Sequence, residues 1–179
     1  MNIALLALHV LVGLLFAAHG AQKLFGSFDG PGLEGTSGFF DTLGLRPGWL
    51  HARAAASAEF FGGILIALGL VTPFAAAALI GVMVAAITTV HFKNGFFATN
   101  QGYEFNLVLI GALFVLAAGD AGIYGLDHWF GWSMNGTAWG LGALGAGVIG
   151  GFGAVLFGRL VGRDRRRHVR GGPAHPTTA

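Results

Sequence analysis

Long apolar runs, each closed or interrupted by a few isolated ionisable side chains, dominate this chain. A helix that spans a bilayer needs about 20 mostly apolar residues. Five segments approach that length, at about 3–24, 50–70, 73–91, 103–118 and 137–161. They lack the period-two alternation of membrane strands. Only 10% of the residues are charged, too few to cover a soluble domain, which carries about 25%. The sequence therefore predicts an all-α integral membrane helical bundle with five spans.

Composition excludes several other classes of function. The chain has no cysteine, which removes disulfides, thiolate metal sites and thiol catalysis by its own side chains. Much of its basic charge lies in 159–170, directly after an apolar run. Such a segment is typical of a topology anchor and does not indicate nucleic-acid binding. No phosphate-binding glycine loop follows a strand, and no nucleophile constellation is present.

Basic residues near the span ends predict the orientation. If all five runs cross the membrane, one side receives Lys23, Arg46, Arg53, Lys93 and the arginines of 163–170. The opposite side receives the loop 119–136, which contains Asp127 and no Lys or Arg. Cytoplasmic loops carry the excess of basic residues. We therefore expect the amino terminus outside, the carboxyl terminus in the cytoplasm, and a disordered basic tail over 163–179.

The alternation of spans also brings four polar side chains into one half of the membrane, namely His19, Glu59, His91 and Glu104. Glu59 lies about 13 Å into its span, on a row of small residues that favours helix packing. A charge inside a bilayer usually faces a bundle interior or a cavity. The group could bind a metal, relay protons because histidine titrates near neutrality, or hydrogen-bond a quinone head group. Alternatively, these side chains could simply pair with one another and hold the helices together. The metal is the weakest of these interpretations, since paired-ligand spacing is absent.

Two further patterns concern packing. The fifth run contains a row of small residues at intervals of four: Ala138, Gly142, Ala146, Gly150, Ala154 and Gly158. Such rows allow close backbone approach, either within the bundle or at a homo-oligomer or partner interface. The glycine-rich and phenylalanine-rich loop 25–47 is predicted to fold back onto the mouth of the bundle, with a short interfacial helix over 36–43.

Several segments together resemble the DoxX family of small bacterial membrane proteins. They are HGAQKLFG at 19–26, GPGLEGT at 30–36, EFFGG at 59–63, VHFKNGFF at 90–97 and GYE at 102–104. The resemblance covers about residues 3–127. It implies a four-span core over 1–130 in the bacterial inner (plasma) membrane. Residues 131–162 would then add a further transmembrane helix, followed by the disordered basic cytoplasmic tail 163–179.

The resemblance also implies a function, as a membrane subunit of a redox or sulfur-metabolism complex. Relatives include a subunit of a thiosulfate:quinone oxidoreductase, and others look like organisers of oxidative-stress enzymes. A quinone and a redox protein partner are thus expected, and the alternative is a non-catalytic scaffold for oxidative-stress enzymes. The polar residues of the shared segments supply two candidate sets. The catalytic candidates are Glu59, His91, Glu104 and His19, and the cofactor-binding candidates are Gln22, Lys23, Asn94 and Tyr103.

Overall fold

The regular structure of this chain is helical throughout the residues that can be described. The computed structural model describes residues 2–119 and 122–170, with side chains for 3–119 and 122–163. The helices are α1 (Asn2–Phe25), α2 (Gly32–Thr42), α3 (Gly48–Leu68), α4 (Thr72–Ala86), α5 (Glu104–Ala118), α6 (Leu126–Trp129) and α7 (Thr137–Arg170). A π-helical turn, Ile87–His91, and a 3-10 turn, Phe92–Asn94, continue α4. The predicted all-α class is confirmed.

Each predicted span corresponds to one long helix, because the apolar runs end where polar or helix-ending residues begin. Three stretches are long and apolar enough to cross a membrane: Ile3–Phe25, Thr72–Asn94 and Thr137–Arg163. Helix α5 is equally apolar but has 15 residues, and α3 has 21 residues with Arg53 and Glu59 among them. The chain is thus a membrane protein with three clear candidate spans. The count of five and the orientation stay predictions.

Helices α1 and α3 pack closely because glycines face each other across their interface. A Cβ atom added at Gly13 would lie 2.6 Å from the carbonyl oxygen of Gly63, and one added at Gly63 would lie 2.5 Å from the backbone nitrogen of Ala17. Small residues at such a contact let two backbones approach. The small-residue face predicted for α3 is therefore the face that packs on α1, and Glu59 lies on it.

Helix α4 occupies the centre of the bundle, with α3, α5 and α7 packed around it. The deepest side chains of the core are Leu79, Ile80, Leu113 and Leu116. Helix α7 approaches α4 through Gly147 and Gly151, where an added Cβ would lie 2.6 Å from Ile80 Cβ and from the Gly81 carbonyl oxygen, respectively.

The small-residue row predicted on α7 is a different face from the one that packs. Ala138, Gly142, Ala146, Gly150 and Ala154 are exposed, and within the described chain Gly142 and Gly150 have open space around an added Cβ. Of this row, Gly158 is buried, against His51. Of the two alternatives left open for this row, packing within the bundle does not hold for the row as a whole, because the adjacent Gly147 and Gly151 make the contact with α4. Helix α7 also continues to Arg170, and 171–179 of the predicted tail lie outside the described residues.

The connections join helix ends at both ends of the bundle. Arg46 N donates to Gly158 O at 3.1 Å, which ties the loop after α2 to α7. At the other end, Asp127 N donates to Gly69 O at 3.0 Å. Helix α2 lies over the bundle, where Thr36 is buried. The loop 25–47 therefore folds back as predicted, with its helix beginning at Gly32.

Candidate functional site

A cavity of about 870 Å³ lies among the helices, bounded by parts of α1, α2, α3, α4, α5 and α7. Its lining is mainly apolar, with a small number of polar side chains. Ligand sites in proteins have this composition and a volume of about 300–1,000 Å³. We call the polar part of this cavity the polar chamber, which is lined by His19, Lys23, Glu59, His91 and Asn106.

An ion pair between α1 and α3 is the strongest polar interaction in the chamber. Lys23 Nζ donates to both carboxylate oxygens of Glu59 at 2.6 Å. The Glu59 side chain is 3% exposed and that of Lys23 is 29% exposed. A buried charge needs such a partner, since desolvation of an isolated ion is costly. The pair also makes its part of the chamber electrically neutral.

The close packing of α1 on α3 brings these two charges together. Lys23 lies three residues after Gly20, which faces Phe60 of α3 without a side chain between the backbones. Residues three apart on a helix share a face. Lys23 therefore projects from the α1 face that meets α3 at the level of Glu59. The prediction that Glu59 faces the bundle agrees with this geometry.

His91 ends the π-helical turn and is oriented by the loop that follows it. Its Nδ1 lies 2.7 Å from the carbonyl oxygen of Gln101, and Asn94 Nδ2 donates to the same oxygen at 3.2 Å. A carbonyl oxygen only accepts, so Nδ1 carries the hydrogen and Nε2 of the neutral ring is the basic nitrogen. The hydroxyl groups of Thr88 and Thr89 donate hydrogen bonds to Val84 O and Ala85 O, respectively. Turns of the π type are frequent at functional sites.

The polar residues that line the cavity but were absent from the predicted site include Asn106 and His51. Asn106 is 6% exposed, and its amide donates to the weak acceptor Met83 Sδ at 3.4 Å. In the sequence, Asn106 is recognisable as an isolated amide side chain within an apolar run. His51 lies two turns before Glu59, on the same row of α3 as Ala55 and Glu59, and extending that row backwards would have found it.

Four predicted residues are missing from the described lining of the cavity: Gln22, Asn94, Tyr103 and Glu104. Glu104 Oε2 accepts a hydrogen bond from Ala98 N at 2.9 Å. The Tyr103 ring stacks on Phe92, with ring centroids 6.0 Å apart. Asn94, Tyr103 and Glu104 belong to or border the connection between α4 and α5, which reaches the cavity through Ala98, Gln101 and Gly102, whereas Gln22 lies on α1. Of these residues, Asn94 shares the Gln101 carbonyl oxygen with His91.

A second part of the cavity, lined mainly by small apolar residues, lies between α3 and α7. We call it the side groove. Its two sides are Ala54 and Ala58 of α3 and Ala146, Gly150 and Ala154 of α7, with Ala78, Val82 and Ala85 of α4 at its base. His51 closes one end of the groove, where its ring lies 6.1 Å from the Phe157 ring and its Nε2 faces Gly158.

Within the described residues, no group of three or more His, Asp or Glu side chains lies close enough to hold a metal ion. The two histidines of the chamber belong to different helix ends, and the Glu59 carboxylate is bound to Lys23. The arrangement can donate hydrogen bonds, accept or release protons, and hold an apolar group beside them.

Comparison with known proteins shows that the chain is similar to one known family and to a named bacterial protein. The sequence model of the DoxX family matches residues 4–92. A protein of Bacillus subtilis (strain 168) named "Putative oxidoreductase CatD" is 34% identical over 108 residues, which are 60% of this chain and 74% of that protein. The family match includes His19, Lys23, Glu59 and His91 of the chamber. No solved structure matches the chain.

Proposed function

This chain belongs to the DoxX family, and we propose that it is the membrane subunit of a redox complex whose polar chamber binds the head group of a quinone. The observation that carries the proposal is the neutral Lys23–Glu59 pair, set in a large apolar cavity. The Bacillus subtilis relative is named an oxidoreductase, which supports a redox role.

The chamber suits an uncharged ring with hydrogen-bond acceptors. A quinone offers two carbonyl oxygens and an apolar ring. Asn106 Nδ2 has only a thioether as its acceptor in the described structure, so it can exchange that weak bond for a carbonyl oxygen. Lys23 Nζ can donate to the second carbonyl oxygen while it stays paired with Glu59. The paired charges attract no further ion, which favours a neutral ligand.

Quinone reduction consumes two electrons and two protons, and the two carbonyl oxygens become hydroxyl groups. The electrons would come from a partner subunit that bears a flavin or a dithiol, since this chain has no cysteine. The protons would pass through His91 Nε2 and the Lys23–Glu59 pair. Histidine suits this role because its ring nitrogen can accept a proton and release it again. In the reverse direction the same groups would accept the protons of a quinol.

The proposal is tested by binding of a tail-less quinone to the purified protein in mild detergent. We expect Glu59→Gln and His91→Ala each to weaken binding about tenfold or more. Glu34→Gln is the matched control, since it makes the same change at an exposed residue outside the cavity. All variants should elute as the folded parent does.

Normal quinone binding by both chamber variants would contradict the proposal. If the parent protein binds no quinone, and only soluble oxidative-stress enzymes copurify with it, the non-catalytic scaffold becomes the better hypothesis. Mass spectrometry of the copurified proteins and lipophilic molecules separates these outcomes.

A further inference from the structure

We infer that the side groove holds the apolar tail of the chamber's ligand, and that the ligand reaches the chamber sideways from the bilayer, between α3 and α7. The inference rests on the proposed function and adds a substrate class to it. The ligand would be an amphiphile with a hydrogen-bonding ring and a long hydrocarbon or isoprenoid chain, and its tail would contribute to binding.

The first support is the order of the helices around α4. Helix α3 packs on α4 through Gly62, where an added Cβ would lie 3.2 Å from Leu79 Cγ, and α7 packs on it through Gly147 and Gly151. Helices α3 and α7 contact each other near His51 and Gly158. Away from that contact, the α4 face of Ala78, Val82 and Ala85 lies at the base of an open groove.

The second support is the size of the side chains along the groove. Its sides consist of alanine and glycine, and an added Cβ at Gly150 meets no described atom within 4 Å. The adjacent row, with Gly147 and Gly151, already provides the small residues that α7 needs to pack on α4. A second small row is therefore not required for packing. Its effect is to leave a channel that larger side chains would fill.

The third support is continuity between the groove and the polar chamber. Both parts belong to one cavity, whose lining runs from Lys23 and Glu59 to Gly150 and Ala154. A membrane lipid lying in the groove would keep its charged head group at the bilayer surface, because charge is costly within the bilayer. A ring-headed amphiphile can place its uncharged head in the chamber and its tail in the groove at the same time.

The test compares two glycines of α7 that differ in their relation to the groove. Gly150 lines it, whereas Gly153 is exposed outside the cavity with open space around an added Cβ in the described structure. Gly150→Leu and Gly153→Leu make the same chemical change and give the same gain in helix propensity. Any difference between the two variants therefore reports on the groove.

The probes are two quinones with the same ring, one without a tail and one with a long isoprenoid tail. We expect the parent protein to bind the tailed probe more tightly. Gly150→Leu should weaken binding of the tailed probe about tenfold, because the leucine side chain excludes methylenes of the tail whose burial favours binding. It should leave binding of the tail-less probe unchanged, and Gly153→Leu should change neither. Ala54→Leu, on the α3 side of the groove, provides a second variant if Gly150→Leu does not fold.

Several results would overturn the inference. Equal loss of both probes in Gly150→Leu, or no loss of the tailed probe in the folded groove variants, would show that the tail lies elsewhere. A parent protein that binds both probes equally would show that the tail makes no contact. If Gly150→Leu alone gave a smaller particle, with normal binding of the tailed probe, the Gly150 face of α7 would be a contact with a second copy of the chain. Failure of the parent to bind either probe would instead overturn the proposed function.

Discussion

The two ends of the bundle each hold a histidine and a carboxylate. Both histidines bond to a backbone carbonyl oxygen, whereas the two carboxylates bond to different kinds of partner. At one end, which we call the closed end, His9 Nδ1 lies 2.7 Å from Ile66 O. There, Asp127 accepts from Val71 N at 2.9 Å and from Thr72 N at 3.5 Å. At the chamber end, Glu59 bonds to another side chain, Lys23.

The difference separates structural polar groups from functional candidates. A bond to helix backbone holds a side chain in one geometry, because moving it would expose a helix end or leave a buried group unsatisfied. A bond between two side chains at the edge of a cavity can be shared with a ligand. His9 lies in a packed interior with 1% exposure, whereas Glu59 and His91 line an open volume. Residue type alone therefore does not distinguish the two ends.

The largest effect is expected from breaking the ion pair. Glu59→Leu leaves Lys23 without its partner, and loss of one member of a buried pair costs about 3 kcal/mol. The double variant Lys23→Met with Glu59→Leu removes both charges and should recover most of that stability. Neither variant should bind a quinone. Thermal unfolding in detergent and a binding assay measure the two properties separately.

Recovered stability without recovered binding would establish that the pair serves the ligand. If Glu59→Leu were as stable as the parent protein, the pair would contribute nothing to the fold, and the contrast between the two ends would lose its energetic basis.

A smaller effect is expected at the closed end from Asp127→Ala. This change removes the carboxylate that caps the start of α4, and hydrogen bonds to charged groups contribute about 1.5–3 kcal/mol. The unfolding temperature should fall, while quinone binding stays as in the parent protein. Asp127→Asn, which retains an acceptor oxygen, should lose less stability. A marked loss of binding in Asp127→Ala would show that the closed end also acts on the chamber.

The smallest effect is expected from His9→Leu. Ile66 O also accepts from Gly69 N at 3.0 Å, so the carbonyl keeps a partner after the substitution. The cost should be about 1 kcal/mol for each hydrogen bond that is lost, with no change in quinone binding. His91→Ala should show the opposite pattern, with little loss of stability and weaker binding. If His9→Leu and His91→Ala had similar effects on both stability and quinone binding, the two histidines could not be assigned different roles.

The sequence was sufficient to predict most of the helices. The apolar run at about 103–118 corresponds to Glu104–Ala118, and that at 3–24 to Asn2–Phe25. Hydropathy and turn residues are local properties, and they are enough to define such boundaries. The π-helical turn Ile87–His91 could not be predicted, because its hydrogen bonds depend on how Thr88, Thr89 and the following loop pack.

The candidate site was predictable in part. The small-residue row of α3 indicated that Glu59 faces other helices, and the structure agrees. The role of Glu104 was not predictable, since its bond to Ala98 N depends on the path of the loop. His51 and Asn106 carried local signals, the α3 row and an isolated amide, but their place in one cavity depends on helices from distant segments.

Local chemistry in this sequence determined that the chain would form long apolar helices of a membrane protein and that Glu59 would lie on a helix-packing face. Only the tertiary structure decided which polar side chains meet. Lys23 and Glu59 are 36 residues apart, and the register of α1 against α3 sets their contact. It also decided which small-residue row of α7 packs on α4 and which lines the groove. Both rows are small enough to pack against another helix. The positions of the neighbouring helices determine which row makes the contact.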